Sequence, residues 1–192
     1  SHSTGTWSGY NSASFAHNGG TGDNRILIVF IATDDWTSGA SASYAGQALT
    51  QQFWNLSSYS GGKPSTLWVG YLVAPPTGSN TIVAQATGGN STQHGRVYAV
   101  TYTGASQDST AIFKASQEKS ALQADDLDLS YSHAPTADDS SLVVSAWITV
   151  WSGAHGGLAA GQTERAEAGV GCAGSLSFSD KAGSAAAVTV SG

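Results

Sequence analysis

The sequence predicts an all-β protein: a two-sheet antiparallel sandwich with about twelve short strands and essentially no helix. Three observations predict this class. Only 10% of the 192 residues are charged, too few for solvated helices, whereas Gly, Ser, Thr and Ala are abundant. Two apolar runs, at residues 26–31 and 142–150, are rich in β-branched and aromatic side chains. Clusters of turn-forming residues separate the apolar segments along the whole chain.

The first apolar run predicts the central strand, at residues 25–33. Six consecutive large apolar residues, 26–31, lie between the turn clusters Gly22-Asp23-Asn24 and Asp34-Asp35. A short apolar run between turn signals is typical of a strand buried on both faces, and a buried helix would be longer. The run at 142–150 has a similar composition, so it is predicted to be a second central strand.

The other predicted strands are short, and each is bounded by Gly, Pro, Asn or Ser. In the first half of the chain they lie within residues 3–15 and at 41–44, 48–54, 66–73, 80–87 and 96–103. In the second half they lie at 110–115, 127–131, 161–168, 173–179 and 185–191. Residues 17–24 are predicted to be a loop.

Two turns have a clear chemical cause. Ala45-Gly46-Gln47 joins two short strands and predicts a hairpin. Pro75-Pro76 ends the strand before it, because proline cannot donate a hydrogen bond to a sheet. Both turns fit many short strands in one domain covering residues 1–192, with residues 1–20 as an amino-terminal strand or arm that is a candidate for contact with a neighbouring subunit.

Charge and composition exclude several classes of function. The net charge is −6, and the seven Lys and Arg residues are scattered, so no basic surface for nucleic acid is expected. No apolar stretch approaches the roughly 18 residues of a membrane span, so membrane insertion is not expected either. The single cysteine, Cys172, cannot form an intrachain disulfide.

A set of short motifs follows the order of a known family. They are Asn24-Arg25-Ile26-Leu27-Ile28-Val29, Tyr44-Ala45-Gly46-Gln47-Ala48-Leu49-Thr50, Ala74-Pro75-Pro76-Thr77-Gly78, Val100-Thr101-Tyr102-Thr103-Gly104-Ala105 and Ala160-Gly161-Gln162-Thr163-Glu164-Arg165. Together they cover roughly residues 20 to 190, and the chain resembles the jelly-roll-like β-sandwich modules of phage structural proteins and bacterial exoproteins. The resemblance implies the fold. It implies no catalytic residues.

No catalytic constellation is predicted, so the chain is not expected to be an enzyme. Glycoside hydrolysis needs two carboxylates projecting into a cleft, but the acidic clusters lie in predicted turns, where Asp bonds its own backbone. Calcium suits oxygen ligands in turns better, and its candidates are Asp34, Asp35, Asp138 and Asp139. No other cofactor is expected. The five histidines show no zinc spacing, and no nucleophile elbow of the Gly-x-Ser-x-Gly type occurs.

Aromatic residues in or beside polar loops are the positive signal for binding. They are Trp36, Trp54, Tyr59 and Trp151. Such side chains stack on sugar rings or anchor protein interfaces, because they offer a large apolar face at low entropic cost. The alternative is that each covers one end of the sandwich.

Together these observations predict a non-enzymatic structural module on an external assembly: a phage capsid decoration or fibre protein, or a subunit of a secreted surface filament. Its expected partners are copies of itself or other subunits, at a virion surface or at an extracellular or cell surface. The alternative is a carbohydrate-binding or adhesive module that uses the loop aromatics, with structural calcium as an option. A glycan-degrading enzyme is the third interpretation.

Overall fold

A computed structural model describes residues 1–8, 11–34, 37–57, 65–88, 94–108, 132–133, 142–149, 160–169, 175–182 and 190–191. Within these ranges the chain forms fourteen β-strands and no helix. The first nine are β1 His2–Ser8, β2 Ser12–Asn18, β3 Ile26–Thr33, β4 Gly39–Tyr44, β5 Gln47–Ala48, β6 Thr50–Ser57, β7 Ser65–Val73, β8 Ser79–Thr87 and β9 His94–Tyr102. The others are β10 Ser132–His133, β11 Leu142–Thr149, β12 Thr163–Gly169, β13 Ser175–Ala182 and β14 Val190–Ser191. The predicted strands at 110–115 and 127–131 lie outside the described residues.

The strands form three main antiparallel sheets. A five-stranded sheet has the order β1-β9-β3-β7-β6, a four-stranded sheet β2-β8-β4-β5, and a three-stranded sheet β11-β13-β12. Strands β10 and β14 form a separate short pair. The prediction of an all-β antiparallel fold is therefore confirmed. None of the described residues forms a helix that could cross a membrane.

The first nine strands follow the path of a rolled-up long hairpin. Strand β1 pairs with β9, β2 with β8, β3 with β7, and β4 with β5. The roll is closed by pairing of β3 with β9 and of β4 with β8, which places alternate pairs in opposite sheets. This is the topology of a jelly roll, and β6 is an extra strand at the edge of the five-stranded sheet.

The first hydrophobic core lies between the five-stranded and four-stranded sheets. Alternate residues of each strand point into it, as the period of a half-buried strand requires. Its largest members are Trp7, Leu27, Val29, Ile31, Tyr44, Trp68, Ile82 and Val97. Trp68 is only 1% exposed.

A second core covers the other face of the five-stranded sheet. The three-stranded sheet places Phe178 there, with its ring centroid 4.8 Å from that of Phe30 and 6.5 Å from that of Tyr98. Every residue of β3 is buried, which confirms the prediction of a strand covered on both faces. The sandwich has three layers rather than the two predicted, because a sheet that is apolar on both faces needs a cover on each side.

Some predicted elements differ from the structure. The run at 142–150 is not central: among the described strands β11 pairs only with β13, and Leu142 is 43% exposed. The predicted first strand at 3–15 is two strands in different sheets, β1 and β2. The predicted loop at 17–24 starts too early, because β2 continues to Asn18 with an inward-facing residue, His17.

The hairpin at Ala45-Gly46 is confirmed. Both residues have positive φ, 50° and 78°, as a tight two-residue turn with the sheet's own twist requires. Tyr44 pairs with Gln47 across it. The second strand is shorter than predicted, since β5 ends at Ala48 and the chain then enters the other sheet as β6.

Candidate functional site

The outer face of the four-stranded sheet has an unusual composition. Strands β2, β4, β5 and β8 contain no Asp, Glu, Lys or Arg at any position. The residues that point outward are small or uncharged. The exposed ones are Ser12, Ser14, Ala16, Asn18, Ser41, Ala48, Ser79, Thr81, Val83, Gln85 and Thr87. We call this surface the uncharged face.

The strand register arranges these residues in rows across the sheet. Ser14 lies opposite Val83, and Val83 lies opposite Ser43 on the next strand. Gln85 lies between Ser12 and Ser41 in the same way. Adjacent strands are about 4.8 Å apart, so the rows form a regular array of hydroxyl, methyl and amide groups. Val83 is 37% exposed near its centre.

A paired carboxylate and imidazole lie at one end of the five-stranded sheet. Asp34 follows β3 and His94 begins β9, so the ladder between these strands brings them together. The backbone N–H of His94 donates to Asp34 Oδ1 at 2.7 Å, and His94 Nδ1 lies 3.0 Å from Asp34 Oδ2. Because a carboxylate only accepts, Nδ1 carries the proton and Nε2 is the acceptor in the neutral ring.

This geometry is the one that orients a general base, but it is incomplete as a catalytic site. Ser8 is the register partner of His94 on β1, so Ser, His and Asp occupy neighbouring positions on three adjacent strands. The described side chains include no hydrogen-bond partner for His94 Nε2. We assign the pair a structural role, closing the ends of β3 and β9.

The predicted calcium ligands are only partly described. Both carboxylate oxygens of Asp34 accept bonds from His94. Asp35, Asp138 and Asp139 lie outside the described residues. Within the described part of the chain, no group of three or more His, Cys, Asp or Glu side chains is placed to hold a metal ion.

Of the four predicted aromatic contacts, only Trp54 is described. It lies within β6, at the edge of the five-stranded sheet, and is 39% exposed. Its register partner is the buried Trp68, whose indole N–H donates to Gln51 on β6 at 2.9 Å. The edge strand therefore presents an exposed indole, and its Gln51 amide bonds the buried indole of Trp68. Trp36, Tyr59 and Trp151 lie outside the described residues.

A buried carboxylate that the sequence did not single out joins two sheets. Asp180 of β13 is 3% exposed and accepts from the Tyr102 hydroxyl at 2.8 Å. It also accepts two bonds from Arg165, from Nε at 2.7 Å and from Nη2 at 2.9 Å. Arg165 lies at a register shift between Glu164 and Ala166, a bulge that re-aims its side chain. Burial and the bond to Asp180 raise the pKa of the Tyr102 phenol.

His17 is a second polar group that sequence reasoning missed. It is 1% exposed, between the two sheets of the jelly roll. Its Nδ1 lies 2.7 Å from Ser3 Oγ and its Nε2 lies 2.8 Å from Thr101 Oγ1. Desolvation, with smaller effects from nearby positive charge, lowers the pKa of His17 to about 4. The alternation Ala13, Phe15, His17 was the signal that would have placed it inside.

Comparison of this chain with protein-family models, with curated proteins and with solved structures found no match.

Proposed function

We propose that this chain is a non-enzymatic structural module that assembles with copies of itself or with other subunits through the uncharged face. The observation that carries the proposal is the absence of charge from all four described strands of that sheet. Natural sheets usually carry charged residues, Lys above all, on their edge strands to prevent association. Neither β2 nor β5, the edges of this sheet, has one.

Electrostatics favours this face as the point of contact. The chain has a net charge of −6, so two copies repel each other at most orientations. A contact through the uncharged face removes no charged group from water, and it therefore avoids the main cost of burying polar surface. The cores of protein interfaces are likewise depleted of charged residues.

The assembly that we propose is external: a phage capsid decoration or fibre, or a secreted surface filament. The location would then be a virion surface, or the extracellular space or cell surface. The low charge and high hydroxyl content of the exposed strands support it, as does the resemblance to phage structural and bacterial exoprotein modules. The proposal includes no catalytic activity.

The test is the concentration dependence of mass in solution. The unmodified chain is expected to form dimers or larger species in sedimentation velocity and light scattering. Val83→Lys places a charge at the centre of the uncharged face and is expected to weaken association at least tenfold, about 1.4 kcal/mol. Thr50→Lys, at an exposed position of β6, is the matched control and is expected to associate normally. An unmodified chain that stays monomeric would contradict the proposal. So would an equal loss of self-association in both variants.

The second candidate function is carbohydrate binding or adhesion, which the exposure of Trp54 favours. An exposed indole on an edge strand has the chemistry to stack on the apolar face of a sugar ring. A glycan array with the unmodified chain and with Trp54→Ala tests it, and Trp36→Ala and Trp151→Ala test the other candidates. Repeating the array with a chelator tests for structural calcium. Binding that survives all three substitutions would reject these aromatics as the binding platform.

A further inference from the structure

Strand β1 is held mainly through its backbone. Seven register pairs join it to β9, from His2 opposite Val100 to Ser8 opposite His94. Of residues 2–7, only Gly5 and Trp7 are buried. Segments with few buried side chains open at lower free energy than the core of the same protein.

The docking of Trp7 is itself imperfect. Its indole is 6% exposed and its ring lies against Gly95, where a Cβ would come within 2.1 Å of it. Among the described residues, the buried indole nitrogen of Trp7 has no hydrogen-bond partner. A buried donor left unbonded costs free energy that is recovered when the group reaches water. Opening of β1 therefore recovers hydration for Trp7.

His17 links β1 to the strands around it. The imidazole bonds the hydroxyl of Ser3 on β1 through one nitrogen and that of Thr101 on β9 through the other. The Tyr44 hydroxyl donates to the carbonyl oxygen of His17 at 3.1 Å, which fixes β2 behind it. The ring is thus the polar connection between β1 and β2, across the two sheets.

No carboxylate lies in any strand that surrounds His17. Strands β1, β2, β4, β8 and β9 contain no Asp or Glu. The ionisable groups facing the ring are the Tyr44 phenol, and, on the β1 side, His2 and the amino group of Ser1. Strand β9 adds two phenols, and His94 and Arg96 near its start. A proton on His17 would be a buried charge without a counter-ion, with only neutral or positive groups around it.

We propose that β1 is an exchangeable strand: protonation of His17 releases it, and the edge of β9 that it leaves pairs with β1 of a second copy of this chain. The occupant is specified because the same seven backbone pairs and the same Trp7 site are re-formed between chains. Exchange of an identical element is a low-cost route to association. Three residues, Gly9-Tyr10-Asn11, join β1 to β2, and short connections of this kind favour exchange over a closed monomer.

Linkage gives the size of the expected effect. His17 titrates at about 4 when enclosed and at 6.5 when β1 has left. The ratio of open to closed chains should then rise roughly 20-fold between pH 7 and pH 5, and further toward pH 4.

The test mixes unmodified chains with chains that carry a mass tag, exposes them to acid near the pKa of His17, and returns them to neutral pH. Native mass spectrometry is expected to find mixed dimers increased about tenfold or more over a sample kept at neutral pH. A fluorescent peptide of residues 1–11, present during the acid step, is expected to be retained by the full chain. The same peptide with Trp7→Ala is the matched control and is expected to be lost.

His17→Gln keeps a polar side chain but cannot take up a proton, so its dimers are expected not to increase after acid. No increase in the unmodified chain, or an equal increase in His17→Gln, would overturn the proposal. If His17→Gln does not fold, amide hydrogen exchange of the unmodified chain tests whether acid releases β1. Acid is expected to reduce the protection of β1 amides relative to those of β3. Equal loss of protection in both strands would overturn the proposal.

Strand exchange does not rest on the uncharged face, which belongs to the other sheet. Val83→Lys is expected to leave acid-induced exchange unchanged, and His17→Gln is expected to leave neutral-pH association unchanged. The two proposals therefore fail separately.

Discussion

The Tyr102 hydroxyl donates to the Asp180 carboxylate at 2.8 Å, and this bond connects the central sheet to the third sheet. Tyr102 is the last residue of β9, and Asp180 lies near the end of β13, two residues after the buried Phe178. The polar bond and the apolar contact of Phe178 with Phe30 are thus made by the same strand. Phe178 supplies buried apolar surface, and Asp180 fixes the register and orientation of the three-stranded sheet on the central sheet.

Tyr102→Phe removes the hydroxyl and leaves the ring in place. The free energy of unfolding is expected to fall by about 1.5–3 kcal/mol, the range for a hydrogen bond to a charged group. Chemical denaturation of Tyr102→Phe, Asp180→Asn and the double variant measures this. The effects of the two substitutions are expected to be non-additive, because both break the same bond. Strict additivity would show that the bond contributes nothing.

Acid is expected to destabilise the fold through His17. Its pKa is 6.5 when unfolded and about 4 when folded, so the unfolded chain binds the proton first. The stability is therefore full above pH 6.5 and is lost as the pH falls toward 4, by roughly 3 kcal/mol from this group. Denaturation at a series of pH values measures the slope. His17→Gln is expected to reduce the dependence of stability on pH between pH 6.5 and pH 4. An unchanged slope in this variant would assign the acid sensitivity to other groups.

Gly95→Ala is expected to destabilise the protein by about 1–3 kcal/mol, because a Cβ at this position would overlap the Trp7 ring. Gly39→Ala is the control: its Cβ would meet only the Thr87 hydroxyl, at 3.2 Å. Thermal unfolding compares the two. Because Trp7 belongs to β1, Gly95→Ala should also speed hydrogen exchange in that strand. Equal stability of the two variants would contradict the close packing of Trp7 on Gly95.

Ala45→Asn is expected to stabilise the protein by roughly 0.5–1 kcal/mol. Ala45 has φ of 50°, a conformation that costs an alanine free energy and that asparagine tolerates. The substitution creates Asn-Gly, the preferred sequence for this turn. Ala48→Asn, exposed in β5, is the control and should give no gain. The melting temperature measures both, and a loss of stability at position 45 would mean that the turn does not limit stability.

The strands of the jelly roll were predictable because the alternation that marks each of them is local. In β8 the inward residues Ile82, Ala84 and Ala86 alternate with exposed ones, and the pattern is visible without a structure. The third layer was not predictable in this way. Apolar residues on both faces of β3 require two covers, but the described apolar side chain that β13 places on this face, Phe178, lies in a mostly polar segment.

The polar groups were missed for a related reason. Asp180 and Tyr102 are 78 positions apart, and nothing in either segment indicates the other. His17 was placed at the start of the predicted loop at 17–24, although the alternation of β2 continues through it. The predicted Trp54 was accessible to sequence reasoning because a large aromatic among polar residues is unusual at any position.

The pairing of β1 with β9 also constrains how the chain reaches its native state. The first strand must remain without its partner until residues 94–102 have been synthesised, because among the described strands it pairs with β9. Proteins dominated by contacts between distant residues fold slowly, commonly in milliseconds to seconds. Pairing of β1 with β9 is accordingly expected to be among the last steps of folding, after β3, β7 and β6 have paired with one another.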